Sequence, residues 1–194
     1  EKYKDKSICY LSTTIPPYER RKRIKDIQDG KYQLVVSTQL VEAGVDIDFD
    51  VVYRDFAPLD SLIQSAGRCN RNNKKPSGDF HVIYLVNEQQ KLFCNKIYDP
   101  ILLQETNAVL LKEIKKGISQ ADNPIAEATL TSLVYEYFNR VRTVASNDAS
   151  SKIIQGLAML QYSSSSFQLI KEKVYKSNVF IILNDEAQNV LNKF

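Results

Sequence analysis

The chain has 194 residues, 25% charged and 43% hydrophobic, the proportions of an ordinary soluble globular protein. At roughly 150 residues per domain it holds one large domain or two small ones. Lys and Arg number 26 against 23 Asp and Glu, a net charge of +3, which excludes a generally basic, histone-like binder and leaves a local basic groove open. No apolar run approaches the roughly 18 residues of a membrane span; the longest, Val179-Phe180-Ile181-Ile182-Leu183, has the length of a strand. The charged start, residues 1–6, lacks the apolar core of a signal peptide. Cys9, Cys69 and Cys94 are sparse and odd in number, which suits a reduced, cytoplasmic protein. His81 is the only histidine and sits in the alternating run Phe80 to Val86; it reads as a strand residue. No zinc-site spacing exists, so this chain is expected to bind no metal.

In chain order, Ser7 to Leu11 reads as a strand. Pro16-Pro17 and Gly30 bracket a helix over Tyr18 to Asp29. Tyr32 to Ser37 is a second strand, Thr38 to Ala43 a short helix ended by Gly44, and Asp50 to Arg54 a third strand. Pro58 to about Arg68 reads as a helix and Gly78 to Val86 as a fourth strand. Strands alternating with helices predict an α/β fold, a parallel sheet with both faces covered. Leu103 to Ile114 and Leu130 to Val141 repeat at helical spacing, joined by a connector over Lys115 to Pro124. Ser163 to Ser166 is a turn or loop, Phe167 to Leu183 one or two strands, and Asn184 to Phe194 a closing helix. There is no internal repeat.

Three segments stand out for chemistry. In Gln64-Ser65-Ala66-Gly67-Arg68-Cys69-Asn70-Arg71 the two arginines are three apart, so on a helix they share a face. Guanidinium forks match phosphate oxygens and stabilise charge in phosphoryl transfer, and Gly67 permits close backbone approach. Two solvated helix arginines are the plainer alternative. In Ser37-Thr38-Gln39-Leu40-Val41-Glu42-Ala43-Gly44-Val45-Asp46, Ser37 and Thr38 end a strand, where open sheets place their ligand crevice. Asp46, past the turn at Gly44, suits ribose hydroxyls or simply caps a turn. The first segment, Leu11-Ser12-Thr13-Thr14, leads to the basic run Arg20-Arg21-Lys22-Arg23 with Lys25. That run is either a phosphate-tracking face or the solvated side of a helix whose Ile24 and Ile27 point inward.

In this order and at these separations the three segments resemble motifs IV, V and VI of the second RecA-like domain of superfamily 2 helicases. The form S-T-x-x-x-E-x-G-V-D-I-D-F-D with Q-S-x-G-R-x-N-R resembles, more narrowly, the CRISPR-associated helicase-nuclease of type I systems. The diagnostic stretch is Val35 to Arg71, and a looser likeness runs from Ser7 to Val86. The resemblance implies a RecA-like parallel sheet flanked by helices over residues 1–118. A smaller, mainly helical accessory region with some strand, truncated, would occupy 119–194. It implies that Arg71 is the arginine finger and that Arg68 is a second phosphate contact or a link between domains. Gln64, Gly67, Gly44 and Asp46 would lie on the ATP side. Thr38, Ser37, Ser12, Thr13 and Arg20 would lie along the tracked DNA strand. Leu11 to Thr14 stand where the family carries a His or an Arg, and Ser65 where many relatives carry an Arg.

The phosphate-cradling loop G-x-x-x-x-G-K-[ST] is missing: Lys25 stands where the first glycine before Gly30-Lys31 should be. Asp185-Glu186-Ala187-Gln188 imitates a Walker B carboxylate pair, but it follows the arginine motif, and Asn184 to Glu186 suit a helix start. One histidine cannot supply the family's nuclease ligands. The resemblance therefore implies one half of an ATP cleft, inactive alone. A first RecA-like domain would hold Mg²⁺, with a nuclease domain in the same protein or a separate subunit. Single-stranded DNA and a guide-RNA surveillance complex would be the partners, with no membrane. The alternatives are another superfamily 2 helicase or restriction translocase, or a non-catalytic adaptor that binds nucleic acid or protein.

Overall fold

The structure is a computed structural model that describes residues 7–42, 44–115, 125–144, 148–161 and 179–193. The chain forms two compact units, Glu1–Ala145 and Ser146–Phe194. In the first unit the helix Glu127–Val144 packs against the helices Leu59–Ala66 and Pro100–Lys115.

The first unit runs β1 (Ile8–Leu11), α1 (Pro17–Gln28), β2 (Leu34–Ser37), β3 (Val51–Asp55), α2 (Leu59–Ala66), β4 (Asp79–Ile83), α3 (Pro100–Lys115) and α4 (Glu127–Val144). Short 3-10 turns occupy Gln39–Val41 and Cys94–Lys96. The expected order of strands and helices is met. Pro17 opens α1 with its ring fixing the first-turn geometry. Gly30, at φ +73 just past the helix end, reverses the chain into β2. Two expectations need correction. The helix foreseen over Thr38 to Ala43 is a single 3-10 turn. α2 stops at Ala66, with Gly67 as its cap, and does not reach Arg68.

β1 pairs with β2 in parallel, Ile8 opposite Leu34 through Leu11 opposite Ser37. β3 pairs with β4 in parallel, Val51 opposite Asp79 through Asp55 opposite Ile83. Each ladder has two strands. One face of β1–β2 is buried: Cys9, Leu11, Ile27, Val45 and Ile47 form a core, with Ile24, Val35 and Val41 against it. The opposite face is not. Ile8, Tyr10, Leu34 and Val36 remain 41–50% exposed, so the expectation of two covered faces fails among the described residues. The strands thus alternate in burial although their residues are apolar on both sides.

A second core joins α2, α3 and α4 through Leu59, Val109, Leu133 and Tyr137. Thr106, fully buried, seats the start of α2: its hydroxyl accepts the Leu59 amide at 2.9 Å and donates to the Leu102 carbonyl at 2.8 Å. That bond serves where Pro58 offers no side-chain cap. Glu105, also buried, is paired with Arg140 across the α3–α4 contact. Burial pushes the Tyr137 hydroxyl up to about 12, with the neighbouring Asp60 charge acting the same way.

The second unit contains α5 (Asp148–Ala158) and α6 (Asp185–Leu191). α6 confirms the helix-start reading of its acidic residues: the Asn184 side chain accepts the Ala187 amide at 2.8 Å. Val179 to Leu183, expected as part of a strand, pair with no strand among the described residues and are exposed. The rest of that expected strand region and the serine run lie outside the described residues.

The second core predicts unequal costs along α4. Leu133→Ala, at a position 3% exposed, is expected to lower unfolding free energy by about 2–5 kcal/mol. Phe138→Ala, at a position 52% exposed, is expected to cost about 1 kcal/mol or less. Urea unfolding followed by circular dichroism measures both; equal losses would refute the assigned facing of α4.

Candidate nucleotide and nucleic-acid interface

Parallel pairing sets the C-terminal ends of β1 and β2 side by side, and the Thr38 amide donates to the Leu11 carbonyl at 3.1 Å. This brings Ser12 and Thr13 to one edge with Ser37 and Thr38, as expected of a ligand-bearing edge. The side chains divide sharply. Ser12 is buried; its hydroxyl accepts the Thr14 amide at 3.2 Å and shares a hydrogen with the Thr14 hydroxyl at 3.0 Å. It shapes the turn from within. Ser37 donates its hydroxyl to the Thr38 carbonyl at 2.8 Å. Thr13 and Thr38 are exposed. Arg20 lies in the first turns of α1, half-buried, its amide bonded to the Pro16 carbonyl. Arg23, one turn on, is engaged instead with Glu19 and the Tyr10 carbonyl.

The two arginines of the last motif do not share a helix face. Gly67 caps α2, and Asn70, at φ +48, turns the chain away from helical geometry. Arg68 points inward, 9% exposed; its Nε donates to the Val41 carbonyl and its Nη2 to the Glu42 carbonyl, both at 2.8 Å. Arg71 points outward and pairs through Nε with Asp46 Oδ1 at 3.0 Å. Gln64 is exposed on α2. Ser65, beside it in sequence, is buried with a hydroxyl that has no partner among the described residues. Gly67 has no crowding that requires a glycine. Gly44 does need one: its φ is +74, where a side chain is strained.

The middle and last motifs are also joined along their backbones. The Phe49 amide donates to the Arg68 carbonyl at 2.9 Å, and the Asn70 amide to the Phe49 carbonyl at 2.8 Å. Asp48 fastens the end of this seam. One carboxylate oxygen accepts the Arg71 amide at 2.8 Å; the other accepts Asn72 Nδ2 at 3.0 Å and lies 3.5 Å from Lys74 Nζ. Burial works against ionisation of Asp48, but these hydrogen bonds and the lysine charge together hold its carboxyl below the ordinary value. Gly78 lies close against the seam: a Cβ there would stand 2.7 Å from Cys69 Sγ and 2.8 Å from Asn70 Cβ. A cavity of about 130 Å³ opens beside it, lined by Ile27, Gln28, Asp46, Ile47, Asp48, Asn72 and Lys74.

Sequence reasoning named no site role for Glu42, Arg54 or Tyr98. Arg54 Nη2 donates to Glu42 Oε1 and to the Tyr98 hydroxyl, the latter at 2.7 Å. Ser61 donates to Glu42 Oε2 at 3.0 Å, and Gln39 Nε2 to the Tyr98 hydroxyl at 2.7 Å. The only signal for Glu42 was its place inside the middle motif. Tyr98 lies outside every motif.

Known proteins resemble this chain in sequence and in fold. Residues 1–74 match the family described as CRISPR-associated nuclease/helicase Cas3, C-terminal. A relative from Haloferax volcanii, a CRISPR-associated nuclease/helicase Cas3, is 44% identical over 69 residues, 34% of this chain and 7% of that protein. One of the same name from Methanothermobacter thermautotrophicus is 33% identical over 112 residues, 55% of this chain and 13% of that protein. This chain thus spans a small fraction of the relatives' length. The crystal structure of T. fusca Cas3 superposes with a TM-score of 0.53 at 20% identity, covering 82% of this chain and 20% of that one. The T. fusca Cas3-ATP structure gives 0.52 at 21%, with 82% and 20% covered. At that identity the likeness establishes the fold, a RecA-like α/β arrangement with an added helical part. The segment that holds the three motifs is thus similar to the C-terminal part of Cas3 proteins.

Two outcomes follow from the seam. Asp48 ionises more readily folded than unfolded, so its stabilisation is complete above the unfolded value of about 3.9 and is lost as pH falls through the lower folded value. Asp48→Asn should therefore flatten the dependence of stability on pH below about 4; an unchanged slope in acid titration of unfolding would refute it. Gly78→Ala should displace Cys69 and Asn70 and destabilise the chain by about 1–3 kcal/mol. A thermal melt unchanged from the parent would contradict that contact.

Proposed function

We propose that this chain is the C-terminal helicase part of an ATP-dependent single-stranded-DNA translocase that acts in CRISPR interference. In this reading it supplies one wall of an ATP cleft. A first RecA-like domain supplies the other wall, with the phosphate loop and the Mg²⁺ ligands. The observation that carries the reading is the seam: it holds Asp46 and Arg71 in contact at the same place where the middle and last motifs meet. The cavity beside them is about 130 Å³, well below the roughly 300–1,000 Å³ of a small-molecule site. A nucleotide would need a second wall, as a half-site requires.

The chemistry follows from the residues. Arg71 is held by a carboxylate that is itself exposed, so a terminal phosphate can compete with Asp46 for the guanidinium. An arginine so delivered stabilises the charge that spreads over phosphate oxygens in transfer. Asp46, once released, faces the ribose side, with Gln64 nearby in sequence as the nucleotide-sensing residue. Arg68 serves this wall through the backbone of Val41 and Glu42; with those bonds intact it supports Arg71 and does not itself reach a phosphate. Thr38 and Thr13, exposed at the strand ends, contact the backbone of the tracked strand, and Arg20 adds phosphate attraction. Ser12 and Ser37 set the shape of that edge. The nuclease domain enters this reading through the names of the relatives, the guide-RNA surveillance complex through the motif resemblance, and the cytoplasm as the setting through the reduced-cysteine composition.

Arg71→Ala, in the chain assembled with its Walker-bearing partner domain, is expected to lower DNA-stimulated ATP hydrolysis by about 10³-fold or more while ATP binding persists. Turnover near that of the parent would remove the arginine-finger role. Thr38→Ala should weaken single-stranded-DNA binding and leave DNA-independent hydrolysis intact, measured by fluorescence anisotropy and phosphate release.

A further inference from the structure

Glu42 takes bonds from three separate parts of the fold. Its Oε1 accepts from Arg54 at the end of β3, its Oε2 from Ser61 on α2, and its carbonyl from Arg68 beyond α2. The side chain is 12% exposed and that of Arg54 17%. Arg54 Nε is buried without a hydrogen-bond partner among the described residues, so Arg54 depends on Glu42 for its counter-charge and on Glu42 and Tyr98 for its orientation. Tyr98 in turn accepts from Gln39, the residue after Thr38. An unbroken set of hydrogen bonds therefore runs from the DNA-side strand end, through Gln39, Tyr98, Arg54 and Glu42, to Ser61 and Arg68, and along the backbone to Arg71.

We propose that Glu42 is a positioning residue that couples the strand end bearing Thr38 to the segment bearing Arg71. The proposal rests on the ATPase reading above for its functional meaning, and on geometry alone for the coupling. Glu42 touches neither nucleotide nor DNA. Its two carboxylate oxygens fix α2 against β3, and its carbonyl fixes Arg68. A shift of Gln39 on DNA binding passes through Tyr98 and Arg54 to Glu42, and from there to the arginine segment. The bonds of Arg54 to Glu42 and Tyr98 are part-buried and charge-assisted, hence strong and directional, while the Gln39–Tyr98 bond is neutral and exposed. A residue that acts this way alters the response of one site to the other more than it alters affinity at either.

Two measurements test this separately from the ATPase reading. The first is hydrogen exchange of the 194-residue chain. Glu42→Gln keeps the shape and removes the charge. It is expected to raise amide exchange over Gln39 to Glu42 and, in the same protein, over Gly67 to Arg71, with α3 and α4 unchanged. A rise confined to Gln39 to Glu42, or spread equally over α3 and α4, overturns the proposal. The second is steady-state hydrolysis with the Walker-bearing partner domain. There Glu42→Gln should cut stimulation by single-stranded DNA about tenfold, with KM for ATP and unstimulated kcat within about twofold. A loss of equal size with and without DNA overturns the coupling. The expected exchange pattern in Glu42→Gln, together with a parent protein that shows no stimulated hydrolysis, overturns the ATPase reading and leaves the coupling standing. If Glu42→Gln does not fold, Ser61→Ala and Tyr98→Phe, each removing neutral donors or acceptors only, take the same two measurements with the same expected directions.

Discussion

The bond from Arg68 back to the carbonyls of Val41 and Glu42 is the contact on which the site depends. Two backbone acceptors at the end of a 3-10 turn have no helical partners of their own, and a planar guanidinium satisfies both at once. The cost of burying that cation is offset only because the fork meets two oxygens at 2.8 Å. The turn after Thr38 and the end of α2 are thereby held as one piece. The Phe49–Cys69 bridge and Asp48 extend the same attachment outward to Arg71.

This arrangement divides the labour between two arginines that a linear motif presents as equals. One is spent inside the protein, where its charge organises backbone. The other stands at the surface in an ion pair that solvent and ligands can reach. Exposed pairs contribute about 0–1 kcal/mol, so Asp46 can hold Arg71 in place without locking it. In the proposed reading, a buried arginine behind a weakly tethered one presents a charge that can change partners.

Much of the fold was legible because its signals are local. Pro17 and Gly30 bracket α1, and Asn184 announces α6 through its cap. The β–α alternation followed from apolar runs of strand length. The candidate site came forward by likeness of motif, which named Arg71, Asp46 and Thr38 together; the structure pairs the first two. What was not legible depends on geometry that spacing does not encode. The helix before Arg68 ends two residues early, at Ala66, and Gly67 and Asn70 redirect the chain, so arginines three apart diverge. The uncovered face of Ile8, Tyr10, Leu34 and Val36 reads in sequence the same as a covered one. Arg54, Tyr98 and Glu42 meet from positions up to 56 residues apart (98 minus 42), and no periodicity links them. α5 was missed because Ser150, Ser151 and Gly156 dilute its apolar spacing.

The account stands on this chain being one wall of a shared ATP cleft. The most direct measurement is ATP hydrolysis, with and without single-stranded DNA, by the chain alone and by the chain joined to an upstream domain bearing the phosphate loop. The account predicts no turnover for the chain alone and DNA-stimulated turnover for the pair. A pair that is folded, binds ATP and still hydrolyses none with DNA present would contradict it and favour a nucleic-acid or protein adaptor built on the same fold.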